Sequence, residues 1–423
     1  MASNEVKVKV IRPRIPKMVI CPACGQEQPF RKKCEHWKTV KQIHCEHTLL
    51  LNVQMVSAKC LNIHCSRNSF TLPIPEIARY ARCTNKMKVE ATAGIIQDNS
   101  TLPRISERLG RSYNTTGSKS TVDRWKHAEA DQYDIKDIIS ALGFSGILGL
   151  DEYMPRRSDN YDLIATDGLW GRILYIESIP KRSSEHVEVY LRKLETLGLH
   201  PWGIIFDLWK PFPGTAKKVF PDILIQYDYF HIMKVLHWHL RNALAEYRKG
   251  LKECNDPRHK LLWKHKWVIL KNAEDRTDKQ HQVMKETMPF LMETIVPDIL
   301  EFKEWVRDIF LSSSTRNDAT ARRNILITQG WHLKNPHFEK VVKYLRSYAF
   351  NYMTTFLEHP EIPRSGNSEN LISVWRQMEA VRFGFRTNKG RLDHLKLYQI
   401  AKYLGGKLPK IRESLQVAHV SVT

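Results

Sequence analysis

The chain has no apolar run near the roughly 20 residues that a membrane helix requires. Ile147–Leu150 and Gly203–Phe206 are typical of its short apolar stretches, so a helical membrane span is excluded from the outset. No apolar leader precedes the cysteines, which points to a soluble chain in a reducing, intracellular setting and argues against a disulfide framework. There is no internal repeat, which sets solenoids aside, and no low-complexity tract. Acidic residues are in short supply too: 45 Asp and Glu face 66 Lys and Arg, leaving a formal charge of +21 on 423 residues. That balance is the footprint of a polyanion binder, with DNA or RNA the first partner to consider. A hydrophobic fraction of 42% is ample for packed cores, and the length allows two or three domains.

The positive charge is unevenly spread. Residues 1–130 hold 22 Lys and Arg against 10 Asp and Glu, and seven of the eight cysteines, Cys21 through Cys83, share that stretch. Residues 1–17 are basic, contain proline and show no period, so they read as a mobile arm able to lie along phosphates. Residues 18–74 read as a zinc ribbon. Cys21-Pro-Ala-Cys24 and Cys60-Leu-Asn-Ile-His-Cys65 form a CxxC and a CxxxxC pair separated by 35 residues, with β-like segments such as Thr48–Val56 between them. Each pair can sit on a knuckle, and four thiolates suit a tetrahedral structural Zn²⁺ in a domain too small to fold well alone. Cys34, His36, His44, Cys45 and His47 are either ligands of a second ion or spare thiols and surface imidazoles.

Over residues 75–135 the pattern turns helical, with LPRISERLG and STVDRWKHAEA on either side of a polar gap, which predicts a helix-turn-helix. In its second helix Arg124 and Lys126 are placed for the major groove and Lys119 for a phosphate, with Val122 and Trp125 toward the core.

From residue 145 the period shifts to strands: GILGLDEY, YDLIATDG and RILYIESI, then a helix, WGIIFDLW, a short helix, ILIQYDYFH and a long helix from about His231. The order β, β, β, α, β, α, β, α predicts a ribonuclease H-like mixed sheet covered by helices. Residues 232–361 carry helical spacing throughout and read as an all-helical insertion; the core spans 145–231 and 362–400, and 401–423 form a C-terminal tail. The whole is a multidomain α+β chain.

Asp151 ends the first strand and Asp207 the fourth, which are neighbours in this topology. Glu369 opens an amphipathic helix that can be laid on the sheet. Three carboxylates can hold two Mg²⁺ ions about 3.5 to 4 Å apart, one activating the attacking water or 3′-hydroxyl and the other stabilising the leaving oxygen. Asp228 also follows an apolar strand, three residues before His231, and either stands beside the site or replaces one of the three. Glu152 points to the opposite face if the strand continues. Arg376, Arg382, Arg386, Lys389 and Arg391 follow Glu369 and can clamp phosphates, whereas Trp202, Trp209 and Trp375 either stack on a distorted base or fill the core.

LDEY, FDLWKPF, YDYFHIMK and SGNSENLISVWRQME with FGFR after it resemble the DDE transposases of bacterial insertion sequences, in the branch with an N-terminal zinc ribbon and helix-turn-helix. The likeness covers most of the chain. It implies Asp151, Asp207 and Glu369 as the catalytic triad on two Mg²⁺ or Mn²⁺ ions, with Asp228 and His231 beside them. Phe212 stands where a Tyr is common, which changes no ligand. The resemblance further implies an enzyme that binds the terminal repeats of its own element in double-stranded DNA, cleaves them and joins them to target DNA. It would act as a homodimer in the bacterial cytoplasm, at the nucleoid. The alternatives are a nuclease or junction resolvase on the same core, or a non-catalytic regulator, whose usual sign would be a lost carboxylate.

Overall fold

Short strands open the chain: β1 (Val6–Ile11), β2 (Met18–Ile20), β3 (Glu27–Pro29), β4 (Lys32–Gln42), β5 (Thr48–Lys59) and β6 (Ser69–Thr71). Four helices follow, α1 (Asn85–Ile96), α2 (Leu102–Tyr113), α3 (Lys119–Ala130) and α4 (Ile135–Leu142). Then come β7 (Ile147–Tyr153), β8 (Tyr161–Asp167), β9 (Arg172–Ile179), α5 (Ser184–Thr196), β10 (Gly203–Phe206), α6 (Phe212–Val219) and β11 (Leu224–Tyr227). The rest is helical: α7 (Tyr229–Glu253), α8 (Arg258–Leu270), α9 (Asp278–Leu291), α10 (Val296–Leu311), α11 (Arg316–Thr328), α12 (Trp331–Lys334), α13 (Pro336–Arg346), α14 (Ala349–Met353), α15 (Thr355–Glu358), α16 (Ser368–Val381) and α17 (Asn388–Tyr403). This computed structural model describes residues 6–405 except 46, 76, 78–80, 156–159, 367, 382–384 and 386. Among the described residues no helix is long and apolar enough to cross a membrane.

The described chain forms two compact units, Gly143–Val374 and the remainder. In the remainder, β4 and β5 make a long antiparallel hairpin, β6 pairs with β5, and β1 adds parallel to β5 with Val6 opposite Thr48. Residues 6–11 are thus an edge strand and not part of a mobile arm. Val and Lys alternate there with period two, but the side chains stay largely exposed, so backbone pairing rather than burial holds the strand. The helix α17 packs on α3 and α4, with Lys389 bound to Asp131 and Asp393, and His127 bound to Asp393. Residues from 375 onward, expected to close the catalytic core, therefore belong to the unit that contains α1–α4.

The other unit is built on a five-stranded sheet in the order β11-β10-β7-β8-β9. β10 runs parallel to both β7 and β11, while β7, β8 and β9 form an antiparallel meander. Strands β7, β8 and β10 are apolar and almost continuously buried, the pattern of strands with both faces covered. Val187, Leu191 and Leu194 of α5 are fully buried in this unit. Between β11 and α16 the described residues contain helices and no strand.

Candidate functional site

The register of the two central strands sets the site. Phe206 pairs with Leu150, so Asp207 follows the end of β10 just where Asp151 comes next on β7, which itself runs on to Tyr153 with Asp151 opposite Ile164 of β8. A third carboxylate reaches the same edge because α16 starts very close to β7. The Ser368 hydroxyl lies 2.9 Å from Thr166 Oγ1, which also donates to the Gly149 carbonyl at 3.3 Å. A Cβ on Gly149 would stand 2.3 Å from Thr166 Oγ1 and 2.6 Å from Ser368 Oγ, so only glycine allows this approach. Glu369 follows directly.

A second helix start is fixed in the same way. Asp228 is the N-cap of α7, accepting a hydrogen bond from Phe230 N at 2.8 Å, and Tyr229 N donates to the Arg364 carbonyl at 3.1 Å. Phe230 N also lies 3.2 Å from Ser365 Oγ, which ties the segment before α16 to the head of α7. The first turn of α7 then carries His231 inward, with Nε2 3.8 Å from Asp151 Oδ2. Asp151, His231 and Glu369 each offer a ligand atom, all within 4.8 Å of one another. Burial alone would lower the His231 pKa, but Asp151, with Asp228 and Asp207 behind it, outweighs burial and raises it. Two hard carboxylates and an imidazole are a donor set that suits a divalent cation.

Asp207 is next to this cluster without joining it. Its Oδ2 accepts from Arg182 Nη2 at 2.7 Å and its Oδ1 from Trp209 N at 3.0 Å. Arg182 is also paired with Glu152 and lies over the Trp209 ring, 4.9 Å from its centroid. Glu152 does not point away into solvent: burial pushes its pKa up to about 7, against the pull of Arg182 and with the help of the Asp207 and Asp151 carboxylates. Sequence reasoning missed both Arg182 and the role of Glu152. Asp228 stays outside the cluster as a capping residue, and burial raises its pKa against the bonds from Ser365 and Phe230.

Cys21, Cys24, Cys60 and Cys65 converge. Gly25, with φ of 69°, closes the first knuckle through its N–H to the Cys21 carbonyl at 2.8 Å; in the second, Cys65 N donates to the Asn62 carbonyl at 3.1 Å. The Cys21–Cys65 and Cys24–Cys60 sulfurs are each 3.8 Å apart, far beyond a disulfide bond. A tetrahedron of sulfurs about 2.3 Å from a central Zn²⁺ has edges of about 3.8 Å. Burial opposes the Cys21 thiolate, but the N–H groups of Ala23 and Cys24 and the neighbouring thiols bring its pKa down to about 7. The four cysteines fit a zinc ribbon, whereas Cys34 and Cys45 stand exposed.

The cationic candidates separate. Lys119 and Arg124 are exposed on α3. Lys126 is not: it shares the inward face with Val122 and Ala130, is buried, and pairs with Asp123 at 3.1 Å, so it cannot face a groove as expected. Trp125 is half-buried. Arg376 is exposed, Lys389 is engaged by Asp131 and Asp393, and Arg382 and Arg386 lie outside the described residues. Trp375 is fully buried and belongs to a core; Trp202 is half-exposed over Gly146, and Trp209 packs against Phe212 and Arg182.

A family model described as a transposase, of the DDE type named for ISL3, matches residues 148–390. Among solved structures, the Drosophila P element transposase strand transfer complex aligns at 14% identity over 74% of this chain and 92% of that one, with a TM-score of 0.38. No match was found among curated protein sequences. The family segment starts on β7 and runs through Asp151, Asp207, His231 and Glu369 to the start of α17, more than half of the chain; the protein belongs to the ISL3 family of DDE transposases, and is a DNA transposase that cuts and transfers strands.

Proposed function

We propose that Asp151, Asp207 and Glu369 hold two divalent ions, Mg²⁺ or Mn²⁺, and that the cleavage and transfer of DNA strands take place at this edge of the sheet. The observation that carries the reading is the meeting of Asp151, His231 and Glu369 within 4.8 Å, with Asp207 directly after Phe206, whose partner Leu150 precedes Asp151. The bound ions would supply an activated hydroxyl nucleophile and stabilise the leaving oxygen of an in-line displacement. The chain's own residues do the positioning. Thr166, Ser368 and Gly149 seat Glu369, the Asp228 cap seats His231, and His231 steadies Asp151 Oδ2. Arg182 neutralises Asp207 and Glu152 until Asp207 turns to the cluster, and is then free to meet a DNA phosphate. Asp207 is preferred to Asp228 because Asp228 is the N-cap that holds the head of α7, whereas the Asp207 Oδ2 is held by a side chain, Arg182, that can exchange it for a metal.

The strand order β11-β10-β7-β8-β9, with one antiparallel meander and two parallel additions, supports a ribonuclease H-like core. We place that core at 145–231 with the first turns of α16, interrupted by the helical segment 232–361. The cysteines hold structural Zn²⁺ in the segment 18–74. Within 75–135, α2 and α3 act as a helix-turn-helix that reads the ends of the insertion sequence through Lys119 and Arg124, and two copies bring two ends together in the bacterial cytoplasm. The test is direct. Asp151→Ala, Asp207→Ala and Glu369→Ala should each abolish Mg²⁺-dependent cleavage of element-end DNA while leaving gel-shift binding to those ends intact. With Fe²⁺ in place of Mg²⁺, peroxide should cut the wild-type backbone near 151, 207 and 369. Retained cleavage by any of the three variants overturns the triad.

A further inference from the structure

α8 carries an exposed face that neither the metal ligands nor the N-terminal readers use. Lys260, Trp263, Lys264 and Trp267 recur at helical spacing and all point outward, while Leu262, Ile269 and Leu270 take the buried side. Trp263 is 56% and Trp267 62% exposed, an aromatic pair one turn apart. Lys266 bridges them, its Nζ 3.8 Å from the Trp263 ring centroid and 5.3 Å from that of Trp267, and Arg248 of α7 lies 4.5 Å from the Trp263 ring. The helix has no acidic residue, and Lys260, Lys264 and Lys266 form no salt bridge among the described residues. An unpaired cationic row interleaved with solvent-facing indoles matches two chemistries at once: phosphates for the lysines, and the flat faces of bases for the rings. Double-stranded DNA offers only the first, because its base faces are stacked on each other. A second copy of this chain, itself at +21, would bring like charge to the same face.

We propose that the Lys260–Trp267 face of α8, with Arg248 and Lys266, binds unpaired DNA, its indoles stacking on bases exposed where strands separate. This rests on the chain being a DNA transposase and is independent of which carboxylates hold metal.

The probes are a fluorescent oligothymidylate and a fully paired duplex of equal length, titrated against the full chain by anisotropy. Trp263→Ala and Trp267→Ala should each weaken oligothymidylate binding about ten-fold or more and leave duplex binding nearly unchanged. Lys260→Glu with Lys264→Glu should also flatten its salt dependence. Both rings are exposed, so the variants should keep the wild-type thermal midpoint. Should one fail to fold, photocrosslinking of the unaltered protein to a 5-iodouracil oligonucleotide, mapped by mass spectrometry, gives a second readout, with adducts expected in the α8 peptide. The same titrations in an Asp151→Asn background separate this inference from the metal reading, because binding should persist there without cleavage. Unchanged oligothymidylate affinity, equal losses toward duplex, adducts only outside α8, or lost self-association with DNA affinity intact would each overturn it.

Discussion

Asp228 holds the head of α7, where its carboxylate accepts from Phe230 N at 2.8 Å and from the Ser365 hydroxyl. Asp207, in contrast, caps no helix: its Oδ2 is held by a side chain, the guanidinium of Arg182 at 2.7 Å, and its Oδ1 by Trp209 N at 3.0 Å. A cap needs only an oxygen acceptor, and Asn serves there nearly as well as Asp, whereas a metal ligand needs the charge. Asp228→Asn is therefore expected to keep wild-type stability and Mg²⁺-dependent cleavage. Asp228→Ala should lose about 1 kcal/mol of stability, read from urea unfolding, because α7 loses its cap and Ser365 its partner. Asp207→Asn should keep stability and lose cleavage. If Asp228→Asn is as inactive as Asp207→Asn, Asp228 is a ligand and the division of labour between the two residues is wrong.

At the scale of elements the site depends on how closely α16 approaches β7, and Gly149 is where that closeness is decided. Gly149→Ala puts a methyl group against Thr166 Oγ1 and Ser368 Oγ, both on short side chains bonded to each other, so the helix start must move outward and take Glu369 with it. Overpacking of this kind costs about 1 to 3 kcal/mol. Cleavage should fall further than that stability loss explains, and Ser368→Ala added to Gly149→Ala should restore part of it; normal cleavage by the single variant would show that Glu369 is not placed through this contact. Such a constraint is invisible in GILGLDEY, where Gly149 reads as one more residue of an apolar strand. The strands themselves were legible, since short apolar runs bounded by turns have few other ways to bury both faces; Asp207 does follow the end of β10, whereas Asp151, expected to end its strand, sits within β7, which runs on to Tyr153. Arg182 could not: its partners lie 30 and 25 positions away, at Glu152 and Asp207, and a loop cation has no period to betray it. Lys126 was legible and was missed, because its spacing of four from Val122 already put it on the inward face. VKVKVI was missed as a strand because its lysines made it look like a tail, although its alternation has period two. The pairing of α17 with α3 joins residues more than 250 apart through Lys389, Asp131, His127 and Asp393, and no local pattern encodes it.

For the whole molecule the division into two compact units has a consequence for the cysteines. Val19, Cys21, Val56, Ala58, Cys60, Phe70 and Leu72 form one small buried cluster, carried by the end of β5 and by β2 and β6, the last two only three residues long each. So small a core, with four thiols facing one another at its edge, is poorly able to hold its strands without an ion to link the two knuckles. The sheet β11-β10-β7-β8-β9 has its own apolar interior and includes none of these residues. Purified protein is therefore expected to carry roughly one equivalent of zinc per chain, released by a mercurial that titrates the thiols. Cys21→Ser with Cys60→Ser should remove it. Amide hydrogen exchange of that variant should then lose protection over β2, β3, β6 and the Cys60 end of β5, while β7, β8 and β10 keep theirs. End binding should fall with the first set of amides, whereas metal-dependent hydrolysis of nonspecific DNA should follow the second. Full protection around Cys21 and Cys60 without zinc would mean that the apolar cluster is sufficient alone, and loss spread evenly over both units would mean that they do not fold separately.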